Sequence, residues 1–209
     1  MEQLILNSKL TSDQQNFLVN LCNDFEMVEE DWIMYDNSVT TDDLKTSVEA
    51  RGRKYLTLND LDEDVQSVLD DIKNNIFIVD NFDKSKFKLI ENNDVEGIYP
   101  TMLSCIHNID NIPGHGIHTH KDFRGDEDTM QVRFNFCVQK PLEGGEPVIN
   151  RRVIDLQEKQ GMVLFASEWL HSGLPVKGDR MRVLLSIGYL VENKYAQELE
   201  KRFNYGRIQ

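Results

Sequence analysis

The feature that most constrains the fold of this chain is a strict two-residue alternation between Met130 and Val138. One side of the pattern is apolar, with Val132, Phe134, Phe136 and Val138, and the other side carries Gln131, Arg133, Asn135 and Cys137. Alternation with period two is typical of a β-strand whose two faces meet different environments. The segment therefore predicts a long strand at the centre of a sheet.

Further short strand-like runs surround this segment in the later part of the chain. They are residues 76–79, 87–90, 101–106, 148–154, 162–165 and 181–190. Gly or Pro separates many of them, as at Gly144-Gly145, Pro175 and Gly178. Many short strands with such turns predict a jelly-roll or a barrel.

The earlier part of the chain has helical periodicity instead. Residues 11–30 predict a helix that begins with a capping box of Thr11 and Gln14, and residues 58–74 predict a second helix capped by Asn59 or Asp60. A strand is expected at 53–58, and a closing helix at 194–203. The expected fold is α+β: a double-stranded β-helix (jelly-roll) core with N-terminal helices packed against it.

The length of 209 residues predicts a single domain. We divide it into an N-terminal support region at 1–95, a jelly-roll core at 96–192 and a C-terminal helix at 193–209. The first residues lack the features of a signal peptide. Three widely spaced cysteines form no disulfide framework, which favours a reduced, cytoplasmic protein. A net charge of −13 disfavours nucleic acid and anionic membranes as partners.

A candidate metal site is formed by His120, Asp122 and His171. Residues i and i+2 of a strand share a face, so His120 and Asp122 can reach one ion together. Two imidazoles and one carboxylate suit non-heme Fe(II) and leave three coordination positions open. His118 offers an alternative ligand in an H-x-H pattern, whereas His107 and His115 are expected in pocket walls or loops.

Two arginines follow His171 and predict an anionic co-substrate beside the metal. Alternation would place Arg180 and Arg182 on one strand face. A buried guanidinium is costly unless it meets an anion, and a carboxylate is its natural partner. We favour Arg180 over Arg182 as the anchor.

The polar face of the long strand offers Arg133 and Asn135. If the apolar face packs against the rest of the protein, both residues line the barrel mouth; if the aromatic face lines the pocket, both are solvated surface. We favour the first alternative, since a binding pocket beside a metal needs polar groups.

With these motifs, the chain resembles the Fe(II)/2-oxoglutarate-dependent dioxygenases. The resemblance rests on Pro113-Gly114 before His120-x-Asp122, on Glu143-Gly-Gly-Glu146, on Gly161–Phe165 before His171, and on the strand with the arginines. It implies Fe(II) held by His120, Asp122 and His171, 2-oxoglutarate anchored by Arg180 or Arg182, and O2 as oxidant. The implied reaction is hydroxylation of an unactivated C–H, with release of succinate and CO2.

Within that superfamily, Pro113-Gly114 and Arg133-Phe-Asn135 are most similar to the aspartyl/asparaginyl β-hydroxylase branch, which includes amino-acid hydroxylases. The resemblance implies that Arg133 holds a substrate carboxylate and that Asn135 contacts the 2-oxoglutarate carboxylate next to iron. Asn135 replaces a His often found there, and Asp122 is a ligand that the aspartyl β-hydroxylases lack. The expected substrate is a small carboxylate-bearing molecule or an amino-acid or peptide side chain.

Two other classes of protein remain open. A cupin-like metal enzyme would use the metal without 2-oxoglutarate. A non-catalytic jelly-roll binding protein would use the His and Asp side chains only for structure.

Overall fold

The fold is given by a computed structural model that describes residues 5–23, 51–55, 63–76, 82–91, 100–106, 117–122 and 127–202. The helices are α1 (Ser12–Asn23), α2 (Glu63–Ile76) and α3 (Asn193–Arg202), with a short 3-10 helix at Lys84–Lys86. The strands are β1 (Leu6–Asn7), β2 (Arg51–Tyr55), β3 (Phe87–Leu89), β4 (Met102–Ile106), β5 (Ile117–His120), β6 (Thr129–Gln139), β7 (Glu143–Gly144), β8 (Pro147–Ile149), β9 (Arg152–Val153), β10 (Gln160–Phe165), β11 (His171–Gly173), β12 (Val176–Lys177) and β13 (Arg182–Glu192).

The strands form two main antiparallel sheets between which the chain passes repeatedly. The larger sheet has the order β1-β10-β6-β13-β4-β2, with β3 paired to β13, and the smaller sheet has the order β5-β11-β8-β9. From β4 onward the chain alternates between them: β4 large, β5 small, β6 large, β8 and β9 small, β10 large, β11 small, β13 large. This alternation is the double-stranded β-helix, so the predicted jelly-roll core is confirmed.

The two longest strands, β6 and β13, lie side by side at the centre of the larger sheet. The aromatic face of β6 packs outward, away from the barrel interior. Phe134 meets Phe82, Phe87 and Tyr189 edge-to-face, at centroid distances of 5.7, 5.8 and 5.7 Å. Such contacts bury large apolar surfaces in a favourable geometry. The opposite, polar face of β6 is therefore turned into the barrel.

The N-terminal helices pack against this core, as predicted. The capping box of α1 is present, because Thr11 N donates to Gln14 Oε1 (3.0 Å) and Gln14 N donates to Thr11 Oγ1 (3.2 Å). Leu18 of α1 and Leu69 and Ile72 of α2 are buried in the same apolar cluster as the strands. One core thus joins the helices to the jelly-roll.

Two strand predictions differ from the structure. Ile76, expected to begin a strand, is the last residue of α2. Residues 148–154 are not one strand: β8 and β9 form a hairpin whose two-residue turn, Asn150-Arg151, has φ values of 47° and 66°. Two-residue hairpin turns of this kind usually contain Gly. Because neither turn residue here is Gly, the sequence gave no signal for the turn.

Where the structure describes them, the remaining predicted helices and strands are present, with ends that differ by one or two residues. The predicted helical residues 24–30, 58–62 and 203, the caps Asn59 and Asp60, and the predicted strand residues 56–58 and 77–79 lie outside the described residues. No helix in the described part of the chain has the length and apolar character needed to cross a membrane.

Candidate functional site

The structure brings His120, Asp122 and His171 together at one end of the barrel. His120 ends β5 and His171 begins β11, and the two residues are direct partners across the antiparallel pair. Asp122 follows two residues after His120, where its backbone N–H donates to the carbonyl of Ala166 (2.9 Å). Pairing in the smaller sheet therefore brings His171 to His120 and Asp122, which lie far from it in sequence.

The donor atoms of these residues are close enough to share one ion. Asp122 Oδ1 lies 3.5 Å from Nε2 of His120 and 3.5 Å from Nε2 of His171. One donor atom from each residue lies within 4.8 Å of the other two. Two imidazole nitrogens and one carboxylate oxygen are the donor set expected for Fe(II) with open positions, so the residues fit this metal.

The ring of His171 is oriented by the main chain. Its Nδ1 lies 3.0 Å from the carbonyl oxygen of Trp169. With the proton on Nδ1, that nitrogen donates to the carbonyl and leaves Nε2, 3.5 Å from Asp122 Oδ1, as the atom that can bind a metal. Histidine ligands of metals are commonly oriented in this way.

The electrostatics of the site keep Asp122 ionised. Burial alone would raise the pKa of this carboxyl, but a hydrogen bond to His171 and the charges of His171, His120 and Arg133 outweigh it. The pKa of Asp122 is therefore lowered. An ionised carboxylate is the form that binds a cation.

A polar cluster lies inside the barrel next to the three donors. Arg133 Nε donates to Ser186 Oγ (2.8 Å), Arg133 Nη2 donates to the carbonyl of Pro100 (3.0 Å), and the Ser186 hydroxyl donates to Asn135 Oδ1. All three side chains are buried. The expected inward orientation of Arg133 and Asn135 is thus confirmed, although the described contacts of Arg133 are with the protein itself.

Arg182 and Arg180 lie in different environments, contrary to the expectation that they share a strand face. The strand begins only at Arg182, so alternation does not extend back to Arg180. Arg180 is exposed and pairs with Glu158 (2.7 Å). Arg182 is 3% exposed.

The guanidinium of Arg182 is poorly compensated inside the protein. Its Nη1 donates to the carbonyl of Gly145 (2.7 Å), whereas its Nε has no hydrogen-bond partner among the described residues. It forms no ion pair with any residue that the structure describes. Burial lowers the pKa of Arg182 to about 10, so the group stays charged at neutral pH. A buried charge of this kind favours an anionic ligand.

Arg182 lines a small cleft and lies beside the strand that carries His171. The cleft is also lined by Lys140, Glu146 and Leu184. A Cβ placed on Gly173 would lie 3.0 Å from Arg182 Nη1. Gly173 is two residues after His171, and two residues of a strand span about 6.6 Å. His171, at the start of β11, and the guanidinium of Arg182, beside Gly173 at its end, are therefore separated by the length of this short strand.

The other predicted residues have different positions. His107, His115 and Pro113-Gly114 lie outside the described residues, as does the side chain of His118. Cys105 and Cys137 are buried thiols, and burial raises the pKa of Cys137 to about 12. Both are core residues, as expected. Trp169 is buried and packs against Phe165 at a centroid distance of 4.7 Å.

Sequence reasoning missed two polar residues of the interior, Gln131 and Ser186. Gln131 Nε2 donates to Asp122 Oδ2 (3.4 Å). Its place on the polar face of β6, in alternation with Arg133 and Asn135, was a usable signal. Ser186 follows Arg182 along β13 in an apolar run that gave no such signal.

No protein-family model and no curated protein matches the sequence. Among solved structures, the chain is similar to a viral collagen prolyl hydroxylase from Paramecium Bursaria Chlorella virus-1 in complex with 2OG, with 12% identity, a TM-score of 0.48 and coverage of 90% of this chain and 94% of that chain. A prolyl-4-hydroxylase from Pseudomonas putida has 14% identity, a TM-score of 0.48 and coverage of 90% and 91%. Structural similarity at this level does not indicate an activity. They do not support the aspartyl/asparaginyl β-hydroxylase branch, which stays a prediction.

Proposed function

We propose that this protein is an Fe(II)- and 2-oxoglutarate-dependent dioxygenase that hydroxylates an unactivated C–H bond. The observation that carries the proposal is the combination of a His-Asp-His donor set with a buried, uncompensated arginine beside the same strand. A metal site alone is compatible with a cupin-like enzyme. The buried guanidinium of Arg182 favours a co-substrate that binds the metal at one end and carries a carboxylate at the other.

The metal and the far end of the co-substrate would be bound by different residues. His120, Asp122 and His171 would hold the metal, which together with 2-oxoglutarate and O2 supplies the oxidising chemistry when bound. Arg182 would bind the far carboxylate of 2-oxoglutarate, so we now favour it over Arg180, whose charge is paired with Glu158 at the surface. Asn135 remains a candidate contact for the other end of the co-substrate.

Burial of Arg182 strengthens the interaction that its guanidinium can make with a carboxylate. In a site that excludes water, a charge-assisted bond between a guanidinium and a carboxylate is stronger than a neutral one and fixes orientation as well. The Gly145 carbonyl holds one side of the guanidinium and leaves Nε without a described partner. A carboxylate bound there would accept a hydrogen bond from Nε.

The proposed substrate is a small carboxylate-bearing molecule or an amino-acid or peptide side chain. Arg133 was expected to bind its carboxylate. Three nitrogens of Arg133 already donate to protein oxygens, which favours a role within the barrel wall. The substrate carboxylate therefore needs another partner or a rearrangement of this cluster.

Succinate production tests the proposal. Protein supplied with Fe(II), ascorbate, 2-oxoglutarate and O2 should release succinate and CO2 in equal amounts, even if slowly without substrate. His171→Ala and Asp122→Ala should abolish this release, because each removes a metal ligand. Asp155→Ala, at an exposed carboxylate that pairs with Lys140, should retain it.

The alternatives give different results in the same assay. A cupin-like enzyme would bind metal through His171 without forming succinate. A non-catalytic binding protein would neither bind Fe(II) through Asp122 nor form succinate. Either result would contradict the proposed oxygenase.

A further inference from the structure

The second carboxylate oxygen of Asp122 has its own partner, Gln131. Asp122 Oδ1 faces the two imidazoles at 3.5 Å each, whereas Oδ2 accepts a hydrogen bond from Gln131 Nε2 at 3.4 Å. The two oxygens therefore have different surroundings. One is available to a metal, and the other is turned to the larger sheet.

The side-chain amide of Gln131 is held in this orientation by Arg133. Arg133 Nη1 donates to Gln131 Oε1 (3.3 Å). Because Arg has only donors, the oxygen of the amide must face Arg133 and the NH2 must face Asp122. The orientation of the amide, which is often ambiguous, is fixed here by chemistry.

Arg133 is in turn held by several bonds to the barrel wall. Its Nε donates to Ser186 Oγ (2.8 Å), and its Nη2 donates to the carbonyls of Pro100 (3.0 Å) and Ser186 (3.4 Å). Arg133 is 1% exposed and Gln131 is 0% exposed. A continuous, buried chain of hydrogen bonds thus runs from β13 through Arg133 and Gln131 to the metal-ligand carboxylate.

We propose that Gln131, oriented by Arg133, is a positioning residue that keeps Asp122 a one-oxygen ligand. The inference rests on the proposed function and deepens it. If Oδ2 also bound the ion, only two positions of a six-coordinate metal would remain open. A 2-oxo acid that chelates through two atoms, together with O2, needs three.

Cobalt binding tests this role without any turnover. Co(II) is used as the probe because its visible absorption reports the ligands around it. Gln131→Met removes the donor, and Gln131→Glu keeps the bond to Arg133 but places a second carboxylate against Asp122. In both variants Asp122 Oδ2 loses the donor that keeps it from the ion, so this oxygen should become a second ligand. The visible absorption band of bound Co(II) should therefore shift in position and change in intensity relative to the wild type.

Gln139→Met is the matched control. Gln139 lies on the same strand and also donates to a protein oxygen, the carbonyl of Met181 (2.9 Å), but it has no described contact with Asp122. This variant should bind Co(II) like the wild type, with the same spectrum. It separates the loss of a glutamine in β6 from the loss of this particular bond.

The outcomes distinguish the two proposals. If the wild type binds Co(II) through His171 and both Gln131 variants bind it with an unchanged spectrum, the positioning role is overturned and the oxygenase proposal stands. If the wild type does not bind Co(II) in a His171-dependent way, both proposals are overturned. A shifted Co(II) absorption band in both Gln131 variants but not in Gln139→Met supports the positioning role.

Discussion

At the scale of single residues, burial distinguishes two arginines that have similar positions in the sequence. Arg180 and Arg182 are two positions apart, yet one is neutralised by Glu158 at the surface and the other is buried beside Gly145 and Gly173. A buried charge with few partners is costly, which favours a ligand that compensates Arg182.

The first prediction compares the two arginines. Arg182→Met should weaken 2-oxoglutarate binding to the metal-loaded protein roughly 10- to 100-fold, since a charge-assisted hydrogen bond contributes about 1.5–3 kcal/mol. Arg180→Met should change this affinity little. Isothermal titration with 2-oxoglutarate in the absence of O2 measures both. Equal losses in the two variants would contradict the assignment of Arg182 as anchor.

The candidate metal donors could be predicted from the sequence, whereas the buried arginine proposed as anchor could not. His120 and Asp122 share a strand face by alternation, and that rule requires no knowledge of the rest of the fold. The choice between Arg180 and Arg182 depends on where β13 begins. Strand ends are set by tertiary pairing, here of Arg182 with Ile106, which the local pattern does not contain.

At the scale of elements, the segment that leads to the candidate metal ligand His171 is supported by the C-terminal helix. Trp169 Nε1 donates to Glu200 Oε1 of α3 (2.9 Å), and the carbonyl of Trp169 lies 3.0 Å from His171 Nδ1. The helix thus contacts Trp169, the residue whose carbonyl orients the candidate ligand His171. Sequence periodicity predicted the helix at 194–203 but gave no indication of this contact, which joins residues 31 positions apart.

The second prediction concerns this contact. Trp169→Phe removes the donor but keeps an aromatic ring against Phe165, so the free energy of unfolding should fall by about 1.5 kcal/mol. Glu200→Gln keeps an acceptor oxygen and should lose less. Urea unfolding of the metal-free protein measures both values. The same stability in Trp169→Phe and the wild type would show that the bond contributes nothing.

At the scale of the whole molecule, the helices and the jelly-roll share one apolar core. Leu18 of α1 and Leu69 of α2 are buried with strand residues such as Phe136 and Leu185. Hydrophobic periodicity predicted the helices and most of the strands, because each period is a local property. The order of strands in the sheets, which assembles the site from β5, β11, β6 and β13, is a non-local property and came only from the structure.

The third prediction follows from the shared core. Leu18 is fully buried, and Leu18→Ala should lower the free energy of unfolding by about 2–5 kcal/mol through lost contacts and a cavity. Because the core is common, circular dichroism and tryptophan fluorescence should report one coincident transition in denaturant. Asn20→Ala, on the exposed side of the same helix, is the control. Separate transitions would indicate that α1 and the barrel unfold independently.

Anaerobic titration tests the central claim of an Fe(II)/2-oxoglutarate site most directly. Adding Fe(II) and then 2-oxoglutarate to the metal-free protein should produce a visible charge-transfer band, because the 2-oxo acid chelates the bound iron. The band should be absent in His171→Ala and should need much more 2-oxoglutarate in Arg182→Met. A wild-type protein that binds Fe(II) but develops no band at saturating 2-oxoglutarate would contradict the account.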